Sequence, residues 1–431
     1  MGVEAVSSLD WADHRRINPC QWRHSSLMRV LHTSDWHLGR QFHGASLLAD
    51  QAVAMDRIVA LAAEAQVDAV LIAGDLYDRA IPPAEAVQLF NDTLARLSRG
   101  GASVVAIAGN HDSHVRVSIY DPLLSAFGVT IRGDIRRSNE PVLVTPRRGG
   151  RPVAIYPLPY LDPAVEAPFL TQVQEASPPT EPRDGEASRA PSRISHQEIT
   201  RLALDRIRAD RCRRPDHRSI VVAHAFVAGG EGCESERELT VGNADRVSVD
   251  TFAGFDYVAL GHLHGSQQLD GARVAYSGTP LAYSFSEQHH TKSVRIVELD
   301  AVGHASVEIV PLQVGRALCT LEGELDALCV DPRFAEAESA WVRVILTDDV
   351  LPMQAMARLR RRFPHVAELR HRPPVASQAT AAERHRQVRQ AASPLDLTLG
   401  FFADQQGRSA VEAEADLLRQ ALQAASAGVE R

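Results

Sequence analysis

The amino-acid sequence predicts an α/β sandwich followed by a small C-terminal α+β domain. From Met28 onward, apolar runs of strand length alternate with helical stretches: strand 28–33, helix 46–65, strand 67–73, helix 82–99, strand 103–107. Such βαβαβ alternation favours a parallel sheet covered by helices. A second half follows in which strands outnumber helices, at 129–132, 141–144, 152–156, 219–224, 255–260, 272–276, 292–299 and 304–310. After about residue 315 the pattern restarts as strand, helix, strand, helix, strand, ending near residue 371.

The boundaries follow from where these patterns stop. Residues 1–27 carry no hydrophobic periodicity, and Met28 opens directly into the buried-strand pattern MRVLHTSD. The first domain is therefore expected to span 28–312, and residues 1–27 to be a non-native or disordered extension. Within that domain, 174–193 (QEASPPTEPRDGEASRAPSR) is rich in Pro, Ser, Glu and Arg and poor in large apolar residues, the composition of a disordered insertion. The α+β domain is expected over 313–392. Residues 393–431 form a C-terminal helical segment, with Val411, Ala415, Leu418, Leu422 and Ala425 making an apolar stripe on a helix at 409–425.

Bulk composition excludes several classes. The longest apolar runs, such as VDAVLIAG at 67–74, fall far short of the roughly 20 residues a membrane span needs. The first 27 residues lack the apolar core of a secretory signal, and the five cysteines are scattered without CxxC spacing. A cytoplasmic protein is expected, with neither a disulfide framework nor a zinc knuckle. The formal net charge of −8 means that any phosphate binding is local rather than driven by a global field. Lys292 is the only lysine among 46 basic residues, a bias that reads as genome composition. No GxxxxGK[ST] phosphate loop occurs, so the chain has no ATP site of its own.

Several segments end an apolar strand with a burst of metal-ligand residues. They are Asp35 and His37, Gly74-Asp75, Gly109-Asn110-His111-Asp112, His224, and Gly261-His262-Leu263-His264. Asp35 and His37 stand two apart, as do His262 and His264, so on an extended chain each pair points to one side. The glycines permit the tight turns that aim the next side chain over the strand ends. Sheets of this class place ligand sites at their carboxyl ends, where the bursts would converge. Asp35, His37, Asp75, Asn110, His224, His262 and His264 together offer two carboxylates, four imidazoles and one amide. That set suits two divalent ions bridged by one shared carboxylate, and its lack of thiolate favours manganese, iron or zinc over a structural zinc site. Any one burst alone is more often a turn or a core histidine; the whole series, each after its own strand, is not.

These ordered motifs resemble those of the calcineurin-like metallophosphoesterases. More narrowly, Thr33-Ser34-Asp35-Trp36-His37-Leu38-Gly39-Arg40, Asp75-Leu76-Tyr77-Asp78 with Pro82-Pro83, and Tyr276-Ser277-Gly278-Thr279-Pro280 resemble the nuclease subunits that work with an SMC-like ATPase of the SbcC type. The resemblance is strong over about 28–300; the C-terminal part is similar in size, placement and α+β character to that family's capping domain. It implies that Asp35, His37 and His264 hold one metal, that Asn110, His224 and His262 hold the other, that Asp75 bridges them, and that His111 is catalytic. It implies two Mn2+ as cofactor, with Mg2+, Fe2+ and Zn2+ as alternatives. It further implies DNA ends, single strands and hairpins as substrate in repair and recombination, and a homodimer within a heterotetramer with the ATPase. Arg358, Arg360, Arg361 and Arg362 crowd one helix end of the C-terminal part and are candidate DNA contacts; residues beyond 393 are candidate partner contacts.

Two other readings stay open at this point. A small-molecule phosphodiesterase or a phosphatase would share the metal core, yet phosphatases of this type carry glutamate where Asp112 stands and Gly-Asp-x-His-Gly where this chain reads Ser-Asp-Trp-His. Purple acid phosphatases need a tyrosine three residues after Asp75, where Asp78 stands. A scaffold that only docks an ATPase is the third class, and the full ligand set gives no reason to favour it.

Overall fold

The structure is a computed structural model that describes residues 28–175, 194–236, 246–374 and 393–428. The extension 1–27, nearly all of the expected insertion at 174–193 and the polar stretch 375–392 lie outside the described residues.

Two six-stranded sheets form the main body. In the first, Met28–Thr33, Ala69–Ile72, Ser103–Ile107 and Val129–Arg132 run parallel in that order. The antiparallel pair Ser293–Leu299 and Ala305–Pro311 extends the sheet beyond Met28–Thr33. In the second, Val153–Leu158, Arg218–His224, Tyr257–Gly261 and Val274–Tyr276 run parallel. Its edges are the antiparallel strands Val142–Val144 and Gln267–Asp270.

Period-two alternation sorts each strand between two cores. Met28 and Val30 pack between the sheets with Ile220, Val222, Tyr257 and Ala259. Leu31, one residue out of phase, faces helices Leu48–Glu64 and Ala84–Arg99 with Met55, Ile58, Phe90 and Leu94. On the far side Val221, Ala223, Val258 and Leu260 meet Ile199, Ala203 and Ile207 of helix His196–Cys212. The result is a helix, sheet, sheet, helix sandwich, the α/β fold the sequence predicts. Its central strands are buried on both faces and therefore read as unbroken apolar runs rather than as alternating ones.

The helices on the second sheet escaped the strand-dominated reading of that half. Helix His196–Cys212 starts at Ser195, whose side chain accepts from the Glu198 N–H, a capping signal present in the sequence. Helix Pro163–Glu175 carries Pro168 in its interior, which obscured its pattern.

A third sheet, Leu318–Gly323, Trp341–Leu346 and Val366–His371, is parallel throughout. Leu325, Leu328, Leu359 and Phe363 cover it by packing on Val342, Val344 and Leu346. It touches the sandwich through Trp341, whose ring lies 5.4 Å from that of Phe42, and through Thr320 Oγ1, which donates to Gln288 Oε1 at 2.9 Å. Beyond it stand helices Pro394–Gln406 and Glu412–Gly428. The first was not anticipated, although Ser393 caps it by accepting from the Asp396 N–H, Pro394 opens it and Gly407 closes it at φ 65°. Among the described side chains of this pair none is buried. No helix among the described residues is long and apolar enough to cross a membrane.

Candidate metal centre

Parallel register builds the site. Thr33 pairs with Ile72 and Ile72 with Ala106, so the loops carrying Asp35, Asp75 and Asn110 leave the first sheet side by side. In the second sheet Gly261 pairs with His224, placing His224 and His262 on adjacent strand ends. Backbone bonds then lace the loops together: the Asp35 N–H donates to Gly74 O at 3.0 Å and the His37 N–H to Asp75 O at 2.9 Å.

The Asp35 and His37 pair does not reach the site from an extended chain, as the spacing suggested. Asp35 (φ 53°), His37 (φ 43°), Asp75 (φ 48°) and His262 (φ 108°) are half of the eight described non-glycine residues with positive φ, a conformation that is costly outside glycine and concentrates at functional sites. The glycines divide their work too. Gly74 does adopt φ 91°, whereas Gly109 has no left-handed φ and is needed for proximity, since a Cβ there would sit 2.2 Å from Asp75 Oδ1.

All seven candidate ligands come together. Ligand atoms of Asp35, His37 and His264 lie within 4.8 Å of one another, as do those of Asp35, Asp75 and His224. His37 Nε2 and His264 Nε2 face each other at 3.2 Å. Asn110 Oδ1 is 2.8 Å from His224 Nε2 and 3.2 Å from His262 Nδ1. Asp75 Oδ2 sits between the two groups, 3.7 Å from His37 Nε2 and 3.6 Å from His224 Nε2. Asp35, His37, Asp75, His224, His262 and His264 are buried, while Asn110 and His111 are half-exposed at the mouth.

The electrostatics are those of a cation site. Burial, reinforced by Asp75, pushes the Asp35 carboxyl well above its usual range. Burial likewise drives His37 and His262 well below the ordinary imidazole value, helped by their histidine neighbours, and lowers His224 and His264. The imidazoles are thus held neutral with a lone pair each, the ligand form, and burial and Asp75 oppose ionisation of Asp35. Facing imidazole nitrogens and a donor set of nitrogen and oxygen fit divalent ions better than they fit one another.

His111 stands beside this cluster. Its N–H donates to Asp75 Oδ1 at 2.8 Å, its Nδ1 is 2.9 Å from Asp78 O, and its ring centroid is 4.7 Å from that of His37. With Nδ1–H committed to a carbonyl, Nε2 is the atom left for chemistry.

The residues that support the ligands were given no role by spacing, even where, as with Asp112, they fall inside a motif burst. Asp112 accepts the N–H groups of Leu76, Tyr77 and Gly109, clamping the turns that carry Asp75 and Asn110. Burial, reinforced by Asp75, pushes its carboxyl up to about 7 against those hydrogen bonds. Glu236 Oε1 accepts the His264 N–H at 2.7 Å. Gln51, inside helix Leu48–Glu64, donates to His37 O at 2.8 Å. Ser235, Glu287 and Lys292 form a chain behind His264.

The arginine cluster is not part of this site. Arg358 pairs with Asp326, and Arg362 pairs with Glu338 at 3.0 Å and donates to Leu328 O at 2.9 Å. Arg360 and Arg361 are the exposed pair on that helix.

Comparison with known proteins places the geometry in a family. The calcineurin-like phosphoesterase model matches residues 28–266. The SbcD component of the SbcCD nuclease of Bacillus subtilis (strain 168) is 34% identical over 350 residues, covering 80% of this chain and 85% of that protein. The chain belongs to the SbcD branch of the calcineurin-like phosphoesterases. The SbcD of Escherichia coli (strain K12) is 29% identical over 336 residues, 75% of this chain and 78% of that one. A second model, the type 5 capsule protein repressor C-terminal domain, matches residues 314–406, which contain the third sheet and helix Pro394–Gln406. Membership of this branch makes the chain a metal-dependent hydrolase of phosphoesters.

Proposed function

We propose that the chain is the nuclease subunit of a two-component DNA-processing complex, hydrolysing phosphodiesters at DNA ends, in single strands and in hairpins. The observation that carries this reading is the convergence of all seven candidate donors, six of them buried, in a chain related to SbcD nuclease subunits over most of its length. Asp35, His37 and His264 would hold one ion, Asn110, His224 and His262 the second, and Asp75 would be shared between them. Two Mn2+ are the working ions of this reading. Bound there, such a pair would supply charge neutralisation and activation of water for hydrolysis of the phosphodiester.

The chain's own residues do the rest. Asp75 fixes His111 through its backbone N–H, and Asp78 O holds the imidazole by Nδ1. His111 Nε2 is then available at the half-exposed mouth to stabilise the developing charge or to protonate the leaving 3′ or 5′ oxygen. Residues 28–312 form the nuclease domain, 313–392 the cap and 393–431 the docking segment. Arg360 and Arg361 are the cap's candidate DNA contacts. An SMC-like ATPase of the SbcC type supplies ATP hydrolysis, for which this chain has no phosphate loop. The complex pairs two copies of each subunit and works on the nucleoid in the cytoplasm.

The test is Mn2+-dependent cleavage of an end-labelled duplex and a hairpin by the isolated chain, with a phosphopeptide in parallel. DNA cleavage without dephosphorylation is expected; the reverse pattern would overturn the nuclease reading.

A further inference from the structure

Lysine is almost absent from this chain: of 46 basic residues only Lys292 is not arginine. That one lysine lies behind the metal centre, its side chain 10% exposed. Its ammonium donates to Glu287 Oε2, to Thr279 Oγ1 at 2.8 Å and to His264 O at 3.0 Å. Three acceptors around one point use all three ammonium hydrogens. A planar guanidinium is larger and cannot present its donors in that arrangement.

Glu287, itself buried, transmits the constraint. Its Oε1 receives Ser235 Oγ at 2.5 Å and the Tyr283 N–H at 3.1 Å. An ionised carboxylate only accepts, so the single Ser235 hydroxyl hydrogen is committed to Glu287. Ser235 Oγ also lies 2.6 Å from His264 Nδ1, and with its hydrogen spent it can only accept there. His264 must carry its proton on Nδ1, which leaves Nε2 bare and pointed at His37 Nε2, 3.2 Å away.

We propose that Lys292 is a positioning residue for the candidate ligand His264, acting through Glu287 and Ser235 to hold its imidazole in the Nδ1–H tautomer that binds metal. This rests on His264 being a ligand, as proposed above. The second support is direct, because the same ammonium grips the backbone carbonyl of His264 and so fixes the residue at both ends. Partners of this kind orient a ligating imidazole, and losing them typically costs about 10–100-fold in metal affinity. An ordinary structural ion pair in the 279–292 loop would stabilise the fold without setting a tautomer.

The experiment uses the full chain. Mn2+ titration calorimetry and metal analysis would be run on wild type, Lys292→Met, Ser235→Ala and His264→Ala, with long-range 15N correlation of the histidine rings in the metal-free wild type and Lys292→Met. Expected are two ions in wild type, one in His264→Ala, and a 10–100-fold weaker first ion in both Lys292→Met and Ser235→Ala. His264 should be the Nδ1–H tautomer in wild type and a mixture in Lys292→Met. Ser235→Ala leaves the lysine and glutamate pair intact, so normal metal affinity there would overturn the relay. So would a wild-type His264 protonated on Nε2, a readout that stands even if Lys292→Met does not fold. Two tightly held ions in His264→Ala would instead sink the ligand assignment on which the relay depends.

Discussion

The backbone N–H of His111 donates to Oδ1 of Asp75 at 2.8 Å, so the candidate bridging carboxylate also sets the candidate catalytic histidine. Oδ2 of the same carboxylate faces His37 and His224 on either side. One side chain thereby joins both ligand groups to the mouth of the site, and its loss acts on binding and chemistry together. In the proposed assignment the histidine it holds contributes no ligand atom, although its ring lies with His37 and Asp78 within reach of a cation.

Asp75→Ala and His111→Ala should therefore part company. The first is expected to lose both ions and all detectable cleavage. The second should keep two ions and a wild-type melting temperature while cleaving on the order of 10²–10⁴-fold more slowly, the range for a general acid or a charge-stabilising group. Metal analysis beside single-turnover cleavage reads the contrast. A His111→Ala protein without metal would show that the imidazole is a ligand instead.

Asp112 organises the site without touching it. Its two oxygens gather three N–H groups from turns that are distant in sequence. Asp112→Asn substitutes a donor for one acceptor and turns an NH2 toward one of those N–H groups. A loss of about 1–3 kcal/mol in unfolding free energy is expected, with reduced metal content although no ligand has changed. Urea unfolding and metal analysis of the purified variant test this, and unchanged stability would show that the turns hold without the clamp.

Those two residues mark how far the sequence is legible. The candidate ligands could be found because each lies within a few residues of the end of its own apolar strand, and parallel register turns that local regularity into proximity. The left-handed conformations of Asp35 and His37 could not be found, because Asp-x-His fits an extended segment equally well and only the bonds to Gly74 and Asp75 select the turn. Ser235 comes from one loop and Glu287 and Lys292 from another, with no repeating spacing, so nothing local marks them. Arg358 and Arg362 looked like a basic patch in one dimension, yet Asp326 and Glu338, 32 and 24 residues away, meet them in three. Helix His196–Cys212 was missed for a plainer reason: the strands on either side dominated the apolar pattern.

His32 gives a pH dependence with a definite sign. It lies between the sheets with Nδ1 2.9 Å from the Tyr257 hydroxyl and Nε2 3.1 Å from Leu260 O. Burial, reinforced by Arg295, pushes its pKa from 6.5 down to about 3. Between those values the unfolded chain binds a proton that the folded chain refuses, so this residue costs stability as pH falls from 6.5. His32→Gln keeps one acceptor and one donor and cannot titrate. Urea unfolding of the metal-free chains between pH 6 and 4.5 should show a pH slope shallower by about 1.4 kcal/mol per unit in the variant. Parallel slopes would mean that His32 is protonated in the folded state.

Directly after the Asn110 and His111 turn, Val115, Ile119, Tyr120, Leu123 and Phe127 are all exposed, Phe127 by 74%. Apolar exposure this concentrated is unusual on a free surface, and a second copy of the chain is the occupant that the proposed assembly supplies. Leu123→Asp with Phe127→Asp should convert a dimer to a monomer in sedimentation velocity while both ions stay bound. A double variant that remains dimeric would place the interface elsewhere.

The C-terminal helix pair poses the same physical question at the other end of the molecule. Pro394–Gln406 and Glu412–Gly428 pack on each other, yet Leu397, Phe401, Val411 and Leu417 stay exposed and none of the described side chains of the pair is buried. Covering a leucine or phenylalanine contributes about 1.5–3 kcal/mol, so a partner that seats this face gains substantially from a few residues. The sandwich and the three-stranded sheet have their own closed cores. Deleting residues 393–431 should therefore leave metal content and DNA cleavage by the isolated chain unchanged and abolish co-purification with the SbcC-type ATPase. The point variant Phe401→Asp with Leu417→Asp should do the same without shortening the chain. Co-purification that survives both changes would place the docking surface on the cap or the sandwich, whereas aggregation of the truncated chain would show that the pair covers the protein's own surface.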